Sequence, residues 1–423
     1  MESLVKRLYQ CDIIKFGEFT LKSGIKSNIY IDLRTCVSHP KLVQTISELI
    51  YRKAADLHFH HICGLPYTGI PFASYLSTKY EIPMLIARKE RKEYGTKKMI
   101  EGQFNEGDTC LMLDDVITSG LSIQENLAVL NEAGLNVENV VVLVDRRLHH
   151  EPIDGIPVRS VLNLNELKEY HRLFRERVMT HYKRRQEEVD CDMAKKLLQI
   201  VMDKETNLAL SADVTTKEEL LELVASVGDQ VCLVKTHMDI ITDFDWGLIE
   251  QLEELAKKHN FMIMEDRKFA DIGNTAVLQY QQGTHRIIEW ADFVTVHGIM
   301  GEASVAALAG SMGDCGIFLL AQASSAGNLL DESYTTNMIY IGNETHVSGF
   351  IAQGALDPSR LTMTPGVKLN PGVDNRGQQY RIPETVIGCD GSDIMIVGRG
   401  IYQAADPAKA AELYRKRGWF ALA

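Results

Sequence analysis

The stretch VCLVKTHMDIITDFDWGLIEQLEELAKKHNFMIMEDRKFADIGNT, residues 231–275, reads as strand, helix, strand. QVCLVKT (230–236) and FMIMED (261–266) are short continuous apolar runs, the pattern of strands buried on both faces, and LIEQLEELAKKHN (248–260) between them is an amphipathic helix. Moving outward, the same unit recurs. NLALSAD (207–213), DFVTVH (292–297), IFLLAQ (317–322), GFIAQ (349–353), LTMTP (361–365) and DIMIVG (393–398) are six further strand candidates, and TKEELLELVASVG (216–228) is another clear helix. Eight such units in roughly 215 residues are the size and rhythm of a closed (β/α) barrel, whose active site lies at the carboxyl ends of its strands. Those ends carry the polar residues: Asp213, Lys235 with His237, Asp266 with Lys268, His297, Ser324 and Arg399.

Before the barrel, HHICGL (60–65), PMLIAR (83–88), TCLMLDDV (109–116) and VENVVVLVD (137–145) alternate with helical patterns such as SIQENLAVLNEAG (122–134), which predicts a parallel sheet covered by helices. Between the two regions, residues 164–201 are rich in charge and poor in Gly and Pro, predicting a helical connector with its boundary near Arg185. The basic cluster Arg175, Arg177, Lys183, Arg184 and Arg185 is interspersed with Glu176, Glu187 and Glu188, so it reads as a solvated helix face. The expected domains are 1–165, a charged helical linker 166–190, and 191–423.

Composition narrows the function. The 423 residues are 45% hydrophobic and 24% charged with 31 Gly and 11 Pro, excluding collagen-like and disordered chains. A formal charge of -12 opposes non-specific attraction to nucleic acid or an anionic membrane, so any phosphate must be caught in a local site. No apolar run approaches the roughly 18 residues of a membrane span, and MESLVKRLYQCDIIKFGEF lacks a signal peptide's apolar stretch, so a cytoplasmic protein is expected. Eight scattered cysteines without a CxxC pair predict buried reduced thiols and no structural zinc.

Two motifs carry chemistry. CLMLDDVITSG (110–120) runs an apolar strand into paired acids, then Thr118, Ser119 and Gly120 before a helix. Backbone N–H groups and a positive dipole end suit a phosphate there, and Asp114 and Asp115 suit ribose hydroxyls, although two adjacent acids alone read equally well as an Asx turn capping the helix. In MEDRKFADIGNT (264–275), Asp266, Lys268 and Asp271 form a D-x-K-x-x-D pattern just beyond a barrel strand. Surface salt-bridge clusters look similar, but Asp213, Lys235 and His237 end neighbouring strands and can converge on the same mouth, which suggests proton chemistry at an unstable carbon. His297 is a lone strand-end histidine, the group His58, His60 and His61 has no partner at metal-ligand spacing, and His149 and His150 read as surface residues.

The segment 110–120 resembles the phosphoribosyl pyrophosphate motif of type I phosphoribosyltransferases. FGEFTLKSGIKSNIYIDLR (16–34) and RKERKEYGTKKMIEG (88–102) are similar to orotate phosphoribosyltransferases in particular. That resemblance implies a type I phosphoribosyltransferase fold, orotate contacted by Lys22, and Arg88, Lys89 and Lys92 on a loop closing over pyrophosphate. It further implies Thr118 and Arg146 in the orotate pocket, with Ser119 and Gly120 around the phosphate. Mg2+ would be held mainly through pyrophosphate, with no firm direct protein ligand. Thr68, where many bacterial enzymes have lysine, and Tyr94, in place of the loop histidine, mark the animal fusion subfamily.

SADVTTKEEL, VKTHMDII, EDRKFADIGNT, MTPGV, GQQYR and SDIMIVGRG resemble orotidine 5'-phosphate decarboxylases from Leu208 to Trp419. The resemblance implies Lys268 as proton donor to carbon six of the pyrimidine, Asp266 beside the departing carboxylate, and Lys235 and Asp271 extending the charged array. Gln378, Tyr380 and Arg399 would hold the phosphate, Ser324 the pyrimidine, and Asp213 and His237 the ribosyl phosphate, without a cofactor. Asp271 and Thr275 would reach into the partner subunit's site, implying a homodimer. Both halves together resemble the bifunctional fusion family of animals and plants, which makes uridine monophosphate from orotate and phosphoribosyl pyrophosphate by way of orotidine 5'-phosphate. A sugar-phosphate decarboxylase or lyase on the same barrel, and a nucleotide-sensing protein with a silent transferase domain, are the competing readings.

Overall fold

The computed structural model describes residues 1–20, 26–88, 99–374 and 377–422. The chain divides into two compact units, Met1–Leu173 and Phe174–Ala423. No described helix is long and apolar enough to cross a membrane.

In the first unit, β1 (Ile14–Thr20) and β2 (Lys26–Ile31) form an antiparallel pair. A six-stranded sheet follows from β3 (His61–Gly64), β4 (Met84–Ala87), β5 (Ile100–Glu101), β6 (Thr109–Ile117), β7 (Asn136–Asp145) and β8 (Val158–Asn163), in the order β5-β4-β3-β6-β7-β8. All neighbours are parallel except β4 and β5. The four runs expected as strands are β3, β4, β6 and β7. The middle of β7, Val140–Val144, is fully buried, as a continuous apolar run between helical layers requires.

In the second unit, β9 (Leu208–Ser211), β10 (Leu233–Thr236), β11 (Met262–Phe269), β12 (Phe293–Val296), β13 (Gly316–Leu320), β14 (Gly349–Ile351), β15 (Leu361–Thr364) and, after a small hairpin of β16 (Gly372–Val373) and β17 (Gln379–Tyr380), β18 (Ile394–Val397) build the barrel. Every barrel pairing is parallel, and β9 pairs with both β10 and β18 to close it. These are the eight strands read from the sequence. Alternate residues serve different cores: Leu208 and Leu210 pack with the surrounding helices, while Ala209 joins Leu233, Met264 and Phe318 in a second cluster. That second cluster also contains Val178 and Tyr182 from the long charged helix Leu164–Glu188, and Leu197 and Leu198 from the helix Asp192–Lys204.

The basic cluster is solvated at Arg175, Arg177, Lys183 and Arg184, as read, but Arg185 is buried. Phe174, Val178, Tyr182 and Arg185 lie on one helical stripe and are all buried in the second unit. The Arg185 guanidinium donates to Asp393 (Nε to Oδ1, 2.7 Å) and to the Arg360 carbonyl (2.9 Å), and the Tyr182 hydroxyl donates to the Asp393 carbonyl (2.9 Å). The surrounding charges mask this stripe in the sequence, because only one residue in three or four belongs to it.

A buried ion pair broken on one side leaves an uncompensated charge. Arg185→Ala is therefore expected to destabilise the second unit by about 3–5 kcal/mol. Glu205→Ala, which breaks the exposed contact with Arg175, should cost under about 1 kcal/mol. Trp246, Trp290 and Trp419 all lie in the second unit, so urea unfolding followed by tryptophan fluorescence reads this unit selectively; equal midpoints for the two variants would contradict the assignment.

Candidate active site

A cavity of about 310 Å³ opens at the carboxyl ends of the barrel strands, lined by Asp213, Lys235, His237, Asp266, Lys268, Ser324, Gln378, Tyr380 and Arg399 among others. Its floor is an alternating row of charges from three neighbouring strand ends. Asp266 Oδ2 lies 2.8 Å from Lys235 Nζ, 2.7 Å from Lys268 Nζ and 3.3 Å from His237 Nε2. Lys235 Nζ is also 3.5 Å from Asp213 Oδ1, which accepts a 2.8 Å hydrogen bond from the Ser211 hydroxyl. Burial alone would raise the Asp266 pKa, but Lys235, His237 and Lys268 outweigh it and hold the carboxyl well below the usual range. Burial likewise works against the Lys235 charge, and Asp266 and Asp213 keep its pKa above the ordinary value.

Local backbone geometry aims these groups. Lys268 has φ of +50°, in the left-handed region that costs a non-glycine residue free energy. Around it the β11–β12 ladder is broken between Glu265 and Phe269. The Lys268 N–H instead donates to Thr295 Oγ1 (3.0 Å), whose hydroxyl donates to Asp266 Oδ1 (2.7 Å). Behind Asp266, the buried Glu265 accepts from the Thr236 hydroxyl (2.7 Å) and the Met238 N–H (3.0 Å), and burial pushes its carboxyl up to about 8. Sequence reasoning missed both Thr295 and Glu265. An acid inside the apolar run FMIMED was the available signal for Glu265; a threonine in a strand gives none.

At the other end of the cavity, Gln378 Nε2 donates to Ser324 Oγ (2.6 Å), tying the β16–β17 hairpin to the loop after β13. Arg399 opens the short helix Arg399–Tyr402 after β18, and its Nη1 lies 2.6 Å from Asp374, which also accepts from the Tyr380 hydroxyl (3.2 Å). Asp374, which holds two of the cavity-lining residues, was overlooked by motif reading. Asp271 and Thr275 do not line the cavity. They are half-buried at the start of the helix Gly273–Gln282, near the exposed Ile272 and Leu278.

In the first unit, Asp114 and Asp115 lie in the last half of β6, Asp115 two residues before its end, and each accepts a hydrogen bond from the backbone N–H of the residue after it. Neither caps the next helix: its N-cap is Gly120, at φ of +86° and without a side-chain cap. The paired acids are thus not the Asx turn that the bare sequence allows. Burial first, then the Asp115 charge, push the Asp114 carboxyl up to about 8. Thr118 and Ser119 are exposed in the turn between. Arg146 follows β7 and reaches Ser27 Oγ (3.3 Å) and the Ile29 carbonyl (3.4 Å), which brings the end of β7 to β2. Arg88, expected on a loop over pyrophosphate, is held here by Glu101 through its Nε (2.7 Å), across the β4–β5 pair. Thr68 is buried at the start of the helix Gly69–Tyr80. Lys22, Lys89, Lys92 and Tyr94 lie outside the described residues.

Three of the histidines not assigned to chemistry have side-chain partners. His60 meets Thr109, His61 meets Asp108 and His150 meets Asp145, and no group of metal-holding residues occurs among the described residues. All eight cysteines are free; four are buried, but Cys389 is exposed, unlike the expectation for the set.

Comparison with known proteins matches residues 35–174 to the phosphoribosyl transferase domain family and residues 206–414 to the orotidine 5'-phosphate decarboxylase / HUMPS family. The uridine 5'-monophosphate synthase of Bos taurus is 41% identical over 99% of this chain and 96% of its own length. That of Naegleria gruberi is 37% identical with the same coverage, and the orotidine 5'-phosphate decarboxylase of Torulaspora delbrueckii is 47% identical over 54% of this chain and 91% of its own. Two sites on two folds, in this order and matched over nearly their whole length by such relatives, make the chain a member of the uridine 5'-monophosphate synthase family, bifunctional enzymes of pyrimidine biosynthesis that combine orotate phosphoribosyltransferase with orotidine 5'-phosphate decarboxylase.

Proposed function

We propose that the charged row at the barrel mouth carries the decarboxylation, with Lys268 as proton donor. The observation behind this reading is the pair of ammonium groups within 2.8 Å of a single carboxylate oxygen beside an open cavity. Orotidine 5'-phosphate binds with its phosphate at Gln378, Tyr380 and Arg399, its ribosyl part against Asp213 and His237, and its pyrimidine at Ser324. The substrate carboxylate then lies beside Asp266. When the bond to carbon dioxide breaks, its electron pair stays on carbon six, next to the Lys268 ammonium, which stabilises it and delivers a proton. Uridine monophosphate and carbon dioxide are the products, and Lys268 regains its proton from water. Because the phosphate is remote from the reacting carbon, its binding energy can be realised in the transition state rather than in the ground state.

For the first step, Asp114 and Asp115 hold the ribose hydroxyls of phosphoribosyl pyrophosphate, and the turn Thr118–Gly120 offers backbone N–H groups to its 5'-phosphate. Arg146 and Lys22 bind orotate, and Arg88, Lys89 and Lys92 face the pyrophosphate. Asp114 and Asp115 would stand beside a Mg2+ held mainly through pyrophosphate oxygens, and the ion would neutralise charge developing on the leaving group. The assembly is a homodimer in which Asp271 and Thr275 complete the partner's site. Ile272, Leu278, Ile299 and Met300, all exposed in the single chain, support that reading.

Carbon dioxide release from carboxyl-labelled orotate is expected only with phosphoribosyl pyrophosphate and Mg2+. A chelator should stop that release while leaving decarboxylation of added orotidine 5'-phosphate untouched; inhibition of both would contradict a metal-free second step. Lys268→Ala should lower decarboxylation by about 10³-fold or more and spare phosphoribosyl transfer, so that orotidine 5'-phosphate accumulates. Parental formation of uridine monophosphate by this variant would remove Lys268 from its role. Lys268→Ala and Asp271→Ala chains, each inactive alone, should recover up to about one quarter of parental decarboxylase activity on equal mixing, because half of the random dimers carry one native site. No recovery in verified mixed dimers would rule out a shared site.

A further inference from the structure

We propose that Thr295 is a positioning residue for decarboxylation, its one hydroxyl setting both the orientation of the Asp266 carboxylate and the backbone from which Lys268 projects. The inference rests on the roles given above to Asp266 and Lys268. A threonine hydroxyl has one proton and two lone pairs. The Lys268 backbone N–H can only donate, so Thr295 Oγ1 accepts it at 3.0 Å, and the hydroxyl proton is left for Asp266 Oδ1 at 2.7 Å. No other arrangement satisfies both contacts.

This has two consequences at the reacting centre. Asp266 Oδ1 is committed to Thr295, so Oδ2 alone faces Lys235, Lys268 and His237. Without that anchor the carboxylate can rotate and divide its oxygens between the ammonium groups, moving the charge that lies beside the substrate carboxylate. The second consequence concerns Lys268. Between the pairs Glu265–Val294 and Phe269–Val296, β11 spans four residue steps and β12 two, so β11 carries two extra residues that bulge toward the mouth. Lys268 sits in this bulge at φ of +50°, and its N–H bonds to the Thr295 side chain rather than to a ladder carbonyl. Thr295 itself is 1% exposed on β12 and is absent from the cavity lining, so it acts through Asp266 and Lys268 and not on the substrate.

The test uses the full chain with Thr295→Val, which keeps the shape and removes the hydroxyl, and Thr295→Ser, which keeps the hydroxyl. For Thr295→Val, decarboxylase kcat should fall about 10- to 100-fold through misplacement of the reacting groups. KM for orotidine 5'-phosphate and the affinity for uridine monophosphate should stay within about twofold, since the phosphate end is untouched. Thr295→Ser should recover kcat to within about threefold of the parent, as expected when the hydroxyl rather than the methyl group matters. Should the valine variant fail to bind uridine monophosphate, Thr295→Ala carries the same expectation. Parental kcat in the valine variant, a parallel loss of kcat and uridine monophosphate affinity in all variants, or failure of serine to rescue would each overturn the proposal. Lys268→Ala measured alongside separates the two levels: an inactive Lys268→Ala with a fully active Thr295→Val sinks only the role of Thr295, whereas an active Lys268→Ala sinks the reading on which it rests.

Discussion

The charge on Asp266 is the constraint on which the barrel site depends. A carboxylate this buried would take up a proton if it stood alone. It stays ionised because Lys235, His237 and Lys268 crowd one of its oxygens, and Lys235, itself almost completely buried, keeps its proton only because Asp266 and Asp213 face it. The charges of Asp266 and Lys235 are conditional on one another, so the two must be assembled together. A closed parallel barrel does this directly: β9, β10 and β11 are hydrogen-bonded neighbours, and adjacent strands about 4.8 Å apart bring the residues at their ends within ion-pair reach.

The first unit meets a related electrostatic problem with a different device. The whole chain is strongly acidic, so an anionic substrate is not drawn in by the general surface and has to be met by local groups. Near the end of β6 those groups are acids, and burial together with Asp115 pushes the Asp114 carboxyl up to about 8. In the proposed reading such a pair would suit hydroxyl groups and a bound cation better than bare phosphate, which would be left to the backbone of the following turn. In the barrel, the reading proposed above reverses the polarity: the Lys235 and Lys268 ammonium groups and the Arg399 guanidinium line the cavity that would take the anionic ends of the ligand. Both sites share one architectural feature: rigid parallel strands deliver polar groups toward their carboxyl ends.

Much of this was legible in the sequence. Continuous apolar runs of strand length, separated by amphipathic helices, are enough to count eight barrel strands, and the residue following each run is then at the mouth by geometry alone. That is why Asp213, Lys235, His237, Asp266, Lys268, Ser324 and Arg399 could be assembled before any coordinates. Arg185 was not legible, because a buried stripe in a helix dominated by charge is hidden by its neighbours. Thr295 was hidden for the opposite reason: a threonine among Val and Phe reads only as a good strand former. Glu265 and Asp374 are supports whose importance comes from what they hold, Met238 in one case and Arg399 in the other, and a linear pattern carries no record of a hydrogen-bond partner.

The two lysines of the charged row are alike in sequence and unlike in the fold, and the difference bears on their proposed roles. A proton donor to carbon has to recover its proton from water in every turnover, whereas a purely electrostatic anchor is better kept dry, where its field is strongest. The Lys235 side chain is 8% exposed and lies between Asp213 and Asp266. The Lys268 side chain is 40% exposed, touches Asp266 on one side and faces the cavity on the other, projecting from a bulge that lifts it clear of the strand ladder. Solvent access thus supports the proposed assignment of Lys268 as donor and Lys235 as anchor.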